Sequence, residues 1–183
     1  GPEEFVETLL ADDAPLRLTS RNATQYHIGT QNSRSEMKIA NRMCENALTE
    51  AERWCTFASL MGAVYPDIPL DMAWRQVIFG QHHDALTGTP CDASYLDTMA
   101  GYREALELGH GCLRAATQFI ADGVETPDVG EPVVVFNPMN WDRGGVLIID
   151  KPADADNVEA HTLNGDVLKS EMIGDNVEVL VDA

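Results

Sequence analysis

The sequence predicts an α+β chain: a three-helix bundle followed by a truncated antiparallel β-sheet of the kind that opens a β-sandwich. Between residues 35 and 122, apolar side chains recur at spacings of three and four, which is typical of helices packed on one face. After Pro132 the apolar period changes to two, and turn signals such as Asn164-Gly165 separate short β-branched runs. Hydrophobic residues make up 44% of the 183, so the chain can bury a core and is not expected to be disordered.

The first zone, residues 1–34, has too little apolar surface for a core of its own. Residues 2–10 predict a short helix that is broken before Pro15. Residues 24–28 predict a short strand that enters a turn at Gly29-Thr30.

The bundle is predicted from three helical patterns. The first begins at Ser35, a natural N-cap, and ends at Gly62. The second starts near Pro69 and runs to Gln81, and the third starts at Asp92 or Ser94. The apolar stripe of the first helix is predicted to be Ile39, Met43, Ala47, Ala51, Trp54, Ala58 and Met61, and that of the third to be Tyr95, Met99, Tyr102, Leu106, Leu113, Ala116 and Ile120.

The sheet zone is predicted to contain strands at 133–136, 146–149, 167–173 and 177–181, with a hairpin turn at Asn164-Gly165. Residues 123–131 contain Pro127, Gly130 and several acids, as domain linkers do. We therefore expect boundaries that give three parts: 1–34, 35–123 and 131–183.

Charge and cysteine usage narrow the possible partners. Thirty acidic against twelve basic residues give a net charge of −18, which repels phosphate backbones and anionic lipid but leaves a neutral sugar unaffected. We therefore expect no nucleic-acid or membrane partner. The four cysteines show no metal-site spacing and are expected to be free, which suits the cytoplasm.

The clearest site chemistry is the run Gln81-His82-His83-Asp84-Ala85-Leu86-Thr87-Gly88-Thr89, where an apolar helix ends in a loop. Imidazole is a good zinc ligand, and adjacent histidines point in different directions, so both are not expected to bind one ion. An ionised aspartate accepts from two donors at once and could hold paired sugar hydroxyls. Two other interpretations stay open: a structural helix cap, or a dinuclear phosphohydrolase, for which the other bundle helices offer only His110 as a further histidine.

Other conspicuous residues have weaker signals. His27 is a candidate for lining a site, His110 is expected to pack, and His161 to be solvated on a strand. Residues 150–156 are expected to form a solvated acidic loop, or alternatively a weak calcium site. The aromatic residues expected in the core rather than as sugar platforms are Trp54, Trp74, Tyr95 and Tyr102.

Three stretches resemble one family. The nine residues from Gln81 to Thr89 closely resemble the signature of glycoside hydrolase family 38, the α-mannosidases. The stretch Gly29-Thr30-Gln31-Asn32-Ser33-Arg34 resembles the one before that family's first middle-domain helix, although Gln31-Asn32 replaces an aromatic-threonine pair. The stretch Val135-Phe136-Asn137-Pro138-Met139-Asn140-Trp141 is similar to the opening of its C-terminal β-domain.

The resemblance implies roles for the motif. It makes His83 a ligand of one catalytic Zn²⁺ and Asp84 a binder of mannose hydroxyls. His82, Thr87, Gly88 and Thr89 become supporting residues. The reaction implied is retaining hydrolysis of terminal α-linked mannose from oligosaccharides by two carboxylates of an N-terminal domain.

That N-terminal domain is expected to be a partner outside residues 1–183, of which 1–34 would be the tail. The chain alone is therefore expected to be inactive, and an oligomer is left open. The alternatives are a non-catalytic helical interaction or carbohydrate-binding module, and an unrelated metal-dependent hydrolase.

Overall fold

A computed structural model describes residues 1–12, 15, 27, 29–30, 32–126, 130–152 and 155–181. Packed helices are followed by two small antiparallel sheets, so the predicted α+β class is confirmed. The elements, in chain order, are α1 (Pro2–Ala11), α2 (Ser35–Leu60), α3 (Asp67–Gly80), α4 (His83–Leu86), α5 (Asp92–Asp122), β1 (Gly145–Asp150), β2 (Ala160–His161), β3 (Val167–Leu168), β4 (Ser170–Ile173) and β5 (Asn176–Val181).

The N-terminal zone contains the predicted short helix. Pro2 occupies the first turn of α1, where its missing N–H costs nothing. The helix ends at Asp12, whose backbone N–H donates to Thr8 O at 3.0 Å, and it buries none of its residues. The turn at Gly29-Thr30 is present, with Gly29 at φ 97°. The strand predicted over residues 24–28 lies outside the described residues, except for His27.

The chain forms two compact units, and α2, α3 and α5 contribute residues to both. The motif-bearing unit comprises Gly1–Leu48 and Asp71–Leu108, and the sheet-bearing unit comprises Thr49–Leu70 and Gly109–Ala183. The motif-bearing unit buries Met37, Cys44, Leu48, Ala73, Val77, Tyr102 and Ala105. The helical part of the sheet-bearing unit buries Ala51, Cys55, Ala58, Leu70, Cys112, Ala116 and Ile120.

The predicted apolar stripe of α2 is only partly correct. Ala47, Ala51 and Ala58 are buried as expected, but Ile39 and Met43 are 59% and 51% exposed, and Met61 is exposed too. The buried face instead follows Met37, Asn41, Cys44, Leu48 and Cys55. Successive helix residues turn by about 100°, so Ile39 lies almost opposite Met37. Small Ala and Cys side chains on the buried face allow neighbouring helices to approach closely.

Gly62, the glycine predicted to close α2, lies two residues beyond the last helical residue, Leu60. Gly62 adopts φ 106°, and its N–H donates to Ser59 O at 3.1 Å while the Ala63 N–H donates to Ala58 O at 3.0 Å. These are the two bonds of a Schellman cap, which a glycine forms without backbone strain. Helix α3 begins at Asp67, two residues before the predicted Pro69.

The C-terminal zone forms a three-stranded sheet in the order β1-β5-β4 and a two-stranded sheet of β2 and β3, all antiparallel. The central strand β5 buries Val177 and Val179. The Asn164-Gly165 turn joins β2 to β3, with Gly165 at φ 87°. Within the described ranges, neither β1 nor β4 pairs along its outer edge with a second strand.

Two strand predictions are corrected. Residues 133–136 form no strand, because Phe136 packs against a helix instead: its ring lies 5.0 Å from that of Trp54, edge to face. The run 167–173 is divided at Lys169, because β3 pairs with β2 whereas β4 pairs with β5. Among the described helices, none is long and apolar enough to cross a membrane.

Candidate metal centre

The motif begins where α3 stops. The Gln81 N–H still donates to Val77 O at 3.0 Å, but His82 turns the backbone out of the helix with φ −51° and ψ 134°. Its carbonyl then accepts the N–H groups of Ala85 and Leu86 at 2.8 and 2.9 Å. The sequence therefore forms a one-turn helix, α4, where a loop was predicted, and this turn carries His83 and Asp84.

Three consecutive side chains form the candidate site. The potential ligand atoms of His82, His83 and Asp84 all lie within 4.8 Å of one another, and all three residues are exposed. The two imidazole rings are 4.4 Å apart and tilted by 31°. Nowhere else in the described part of the chain do three His, Cys, Asp or Glu residues form such a group.

His82 is engaged by its own turn. Its Nδ1 accepts the backbone N–H of Asp84 at 3.3 Å, which makes His82 the N-cap of α4. A neutral imidazole whose Nδ1 accepts a hydrogen bond carries its proton on Nε2, so neither nitrogen then offers a lone pair to a metal. This geometry favours His82 as a residue that orients the turn.

His83 and Asp84 have donor chemistry that suits zinc. His83 Nε2 lies 3.3 Å from Asp84 Oδ2, and the two side chains are 83% and 74% exposed. Imidazole and carboxylate are both common zinc ligands, and a carboxylate often holds the second nitrogen of a ligating histidine. Zinc takes about four ligands in proteins, so these residues fit one part of a zinc site rather than a whole one.

The side chain of Gln81 ties the start of the motif to α2. Its Nε2 donates to Asn41 Oδ1 at 3.0 Å and to Glu45 Oε1 at 2.8 Å. Asn41 is buried, and the Tyr102 hydroxyl lies 3.5 Å from the same Oδ1. No separate role was predicted for Gln81 from the sequence. The available signal was Asn41, a polar residue at helical spacing from the apolar residues Met37 and Cys44.

The end of the motif closes back on α4 and packs against Ser33. The Thr89 hydroxyl donates to Asp84 O at 2.7 Å and lies 3.2 Å from the Thr87 hydroxyl. Gly88 has φ 85°, and a Cβ at this position would lie 2.6 Å from Ser33 O. Only glycine fits both this backbone conformation and this space.

The other sequence candidates do not join the site. His27 is exposed and belongs to no group of potential ligands among the described residues. His110 is exposed on α5, so the prediction that it packs is wrong. His161 is exposed on β2 with its Nε2 3.2 Å from Glu159 Oε2, as expected for a solvated strand position. Tyr102 is buried, and the other aromatic residues expected in the core, Trp54, Trp74 and Tyr95, are half-buried.

The motif and the helices around it match one known protein family. The profile of the alpha mannosidase middle domain matches residues 25–120, which include α2 to α4, nearly all of α5 and the whole motif. The chain belongs to this family. The resemblance to family-38 α-mannosidases, first carried by three short stretches, is thereby confirmed.

Relatives of this chain are much longer than it is. Mouse and human α-mannosidase 2C1 are each 29% identical to it over 133 residues, which is 72% of this chain but 12% of those proteins. α-Mannosidase G of Dictyostelium discoideum is 30% identical over 82 residues, 45% of this chain and 8% of its own length.

Two solved Enterococcus faecalis structures share the fold at 17% identity. One is described as a glycosyl hydrolase family 38 protein; it superposes with a TM-score of 0.72 over 98% of this chain and 25% of its own. The other, described as an α-mannosidase, superposes with a TM-score of 0.70 over 85% of this chain and 22% of its own. The helices and the small sheets therefore recur together in larger chains.

Proposed function

We propose that this chain is the part of a zinc-dependent retaining α-mannosidase that supplies one zinc ligand, His83, and one sugar-binding carboxylate, Asp84. The observation that carries the proposal is the family match combined with an exposed one-turn helix presenting both side chains. The substrate class is an oligosaccharide ending in α-linked mannose. The remaining zinc ligands and the two catalytic carboxylates belong to an N-terminal domain of the same protein, as the resemblance implies.

The number of protein ligands that a catalytic zinc needs supports a site shared between this chain and another part of the protein. His82 is occupied as an N-cap, so the motif offers His83 as its one imidazole ligand. Because a catalytic zinc has at least three protein ligands, the others must come from a different part of the protein. The exposure of His83 suits this role, since a side chain that completes a site built elsewhere must face that part.

Apolar side chains near the motif support the same arrangement. Ile78 and Phe79, just before the motif, are exposed, and so are Ile39 and Met43 on α2 in the same unit. Exposed apolar side chains are costly in water unless another surface covers them. We propose that the N-terminal catalytic domain is that surface.

Each motif residue would have a separate task. His83 would give an imidazole lone pair to the ion, and Asp84 would accept hydrogen bonds from two mannose hydroxyls. Bound zinc would supply a positive charge that holds sugar oxygens. Retaining hydrolysis needs two carboxylates about 5–5.5 Å apart, and the motif cluster contains one. We therefore expect no turnover of an aryl α-mannoside by this chain alone.

The test is metal analysis and kinetics on the full-length protein. His83→Ala should lower zinc content and activity together, by at least the 10–100-fold typical of weaker outer contacts. Asp84→Asn should raise KM while zinc remains bound. His161→Ala, which removes an exposed histidine beside a carboxylate in the sheet-bearing unit, is the matched control and should change neither.

Zinc lost from Asp84→Asn but retained in His83→Ala would reverse the two assignments. Zinc retained in all three variants, together with unchanged activity, would instead favour a non-catalytic interaction or carbohydrate-binding module. The family match sets aside an unrelated metal-dependent hydrolase.

We further propose the domain limits 1–34, 35–123 and 131–183 and a cytoplasmic location. The location rests on the four cysteines, all of which are free. Limited proteolysis should cut first between residues 123 and 131. A first cut within α2 or α5 would contradict these limits.

A further inference from the structure

We propose that Gln81 is a positioning residue that holds the ligands of α4 in place, and that Gly88 completes the attachment at the other end of the motif. Both attachments reach α2 or the residues just before it. This inference rests on the proposed function of His83 and Asp84, and it assigns a task to residues that touch neither metal nor sugar.

The need for positioning follows from the size of α4. A helix of four residues gains too few hydrogen bonds to be stable alone, and α4 buries none of its residues. Its placement therefore depends on what holds its two ends. A ligand displaced by about 1 Å can lower a catalytic rate about 100-fold, so loose ends would matter to the site.

The first attachment is a pair of hydrogen bonds across the motif-bearing unit. Gln81 Nε2 uses both of its protons, one for Asn41 Oδ1 at 3.0 Å and one for the Glu45 carboxylate at 2.8 Å. The bond to Glu45 is charge-assisted, which makes it about twice as strong as a neutral one. The preceding residue, Gly80, lies so close to Tyr102 that a Cβ would meet its ring at 2.6 Å. The end of α3 is thus fixed against both α2 and α5.

The second attachment is the contact between Gly88 and Ser33. Ser33 is itself held in a turn, since its N–H and its hydroxyl both donate to Gly29 O, at 2.8 and 2.9 Å. The Lys38 amine, on the first turns of α2, donates to the Ser33 carbonyl. A motif residue that packs against this carbonyl is therefore packed against the start of α2.

The decisive variant is Gln81→Glu in the full-length protein. It preserves size but removes both donated hydrogen bonds and places a second carboxylate beside Glu45. We expect zinc affinity and kcat/KM to fall by about 10–100-fold, the usual effect of losing a residue that orients a metal ligand.

The chain offers a matched control on α3, the helix that precedes Gln81. Gln76 Nε2 donates to Glu104 Oε2 at 2.8 Å, so Gln76→Glu makes the same substitution and breaks the same kind of bond. This variant should lose stability without losing zinc. If Gln76→Glu and Gln81→Glu lower zinc affinity equally, Gln81 is only a stabilising residue and the proposal is overturned.

A rescue variant separates positioning from general damage. In the double variant Gln81→Glu with Glu45→Gln, the new amide at position 45 can donate to the new carboxylate at position 81. We expect zinc affinity and kcat/KM to recover to within about tenfold of the parent, because paired substitutions in contact are not additive. A double variant that is as weak as the sum of its two single variants would contradict the proposal.

Amide hydrogen exchange distinguishes this inference from the proposed function. The N–H groups of Ala85 and Gly88 are bonded within the motif, so their exchange reports its order. Gln81→Glu should speed their exchange about tenfold or more, and the double variant should reverse this. Faster exchange with zinc retained in His83→Ala would support the attachment but overturn the zinc role. Unchanged exchange in Gln81→Glu would overturn the attachment itself.

Discussion

Gly88 and Gly165 have nearly the same left-handed backbone, at φ 85° and 87°, but different surroundings. A Cβ added at Gly88 would lie 2.6 Å from Ser33 O, whereas one added at Gly165 would meet nothing within 4 Å. Both alanine variants should lose about 1–2 kcal/mol to backbone strain. Gly88→Ala should lose at least about 1 kcal/mol more, because the Ser33 backbone must move. Urea denaturation of both variants measures the difference, and equal losses would mean that the Gly88 contact is unimportant.

Cys91 should be the most reactive thiol of the chain. It is exposed, and hydrogen bonds from the Ser94 hydroxyl and from nearby backbone N–H groups lower its pKa. Burial raises the pKa of Cys44 and of Cys55 to about 11. Because the thiolate is the reactive form, a lower pKa means faster alkylation near neutral pH.

The check is iodoacetamide labelling followed by peptide mapping. Cys91 should be labelled first in the folded chain, and Ser94→Ala should slow its labelling by raising its pKa. Cys44, Cys55 and Cys112, all buried, serve as internal controls that react only after denaturation. Labelling of Cys55 before Cys91 would contradict the burial described for the sheet-bearing unit.

At the scale of elements, α2 separates apolar side chains that pack from those that do not. Leu48, which lies outside the predicted stripe, is fully buried, whereas Ile39, which the stripe placed in the core, is more than half exposed. Leu48→Ala should therefore lower the free energy of unfolding by about 2–5 kcal/mol. Ile39→Ala should change it by less than about 1 kcal/mol. Denaturant unfolding of the two variants tests this, and a larger loss for Ile39→Ala would restore the stripe predicted from sequence.

The elements also show what the sequence could predict. Helix ends followed closely from local chemistry: α2 starts at Ser35, the residue predicted as its N-cap, and Gly62 caps its far end as predicted. The buried face of α2 did not, because Asn41 and Cys44 lie inside while the more hydrophobic Ile39 and Met43 lie outside. Which face packs depends on partner helices, and hydrophobicity along one helix does not contain that information.

The candidate site was likewise predictable from the sequence only in part. The motif itself was visible because its chemistry lies in consecutive residues, from His82 to Asp84. The attachment of Gln81 to Asn41 and Glu45 was not visible, because those partners are 40 and 36 positions away in the sequence. Likewise, the run 133–136 has strand-forming residues, but the packing of Phe136 on Trp54 overrides that preference.

For the whole molecule, several buried groups predict a loss of stability at alkaline pH. Burial raises the pKa of Cys44 and Cys55 from 9.0 to about 11, and that of Tyr102 from 10.0 to about 12. The folded chain thus holds these protons more tightly than the unfolded chain does. Stability is therefore fully present below pH 9 and falls as the pH rises from about 9 toward 12.

Thermal melts across this range measure the effect. Tyr102→Phe should flatten the fall between pH 10 and 12, because the variant has no proton to lose at that position. Cys91→Ser should instead steepen the fall near pH 9, because hydrogen bonds hold the pKa of this exposed thiol below its ordinary value and its ionisation therefore favours the folded chain. If the melting temperature of the parent chain did not change between about pH 9 and pH 12, Cys44, Cys55 and Tyr102 would have to be accessible to water.

The open edges of the three-stranded sheet affect how the chain behaves in solution. Within the described residues, β1 and β4 each leave one side unpaired, and β1 exposes Val146 and Ile148. Such strands are templates for pairing between molecules. At low ionic strength the net charge of −18 keeps copies apart, but salt near 1 M shortens the range of that repulsion to about 3 Å. Concentrated samples should therefore be clear in dilute buffer and scatter light after salt is added, and Ile148→Lys should raise the salt concentration at which scattering begins.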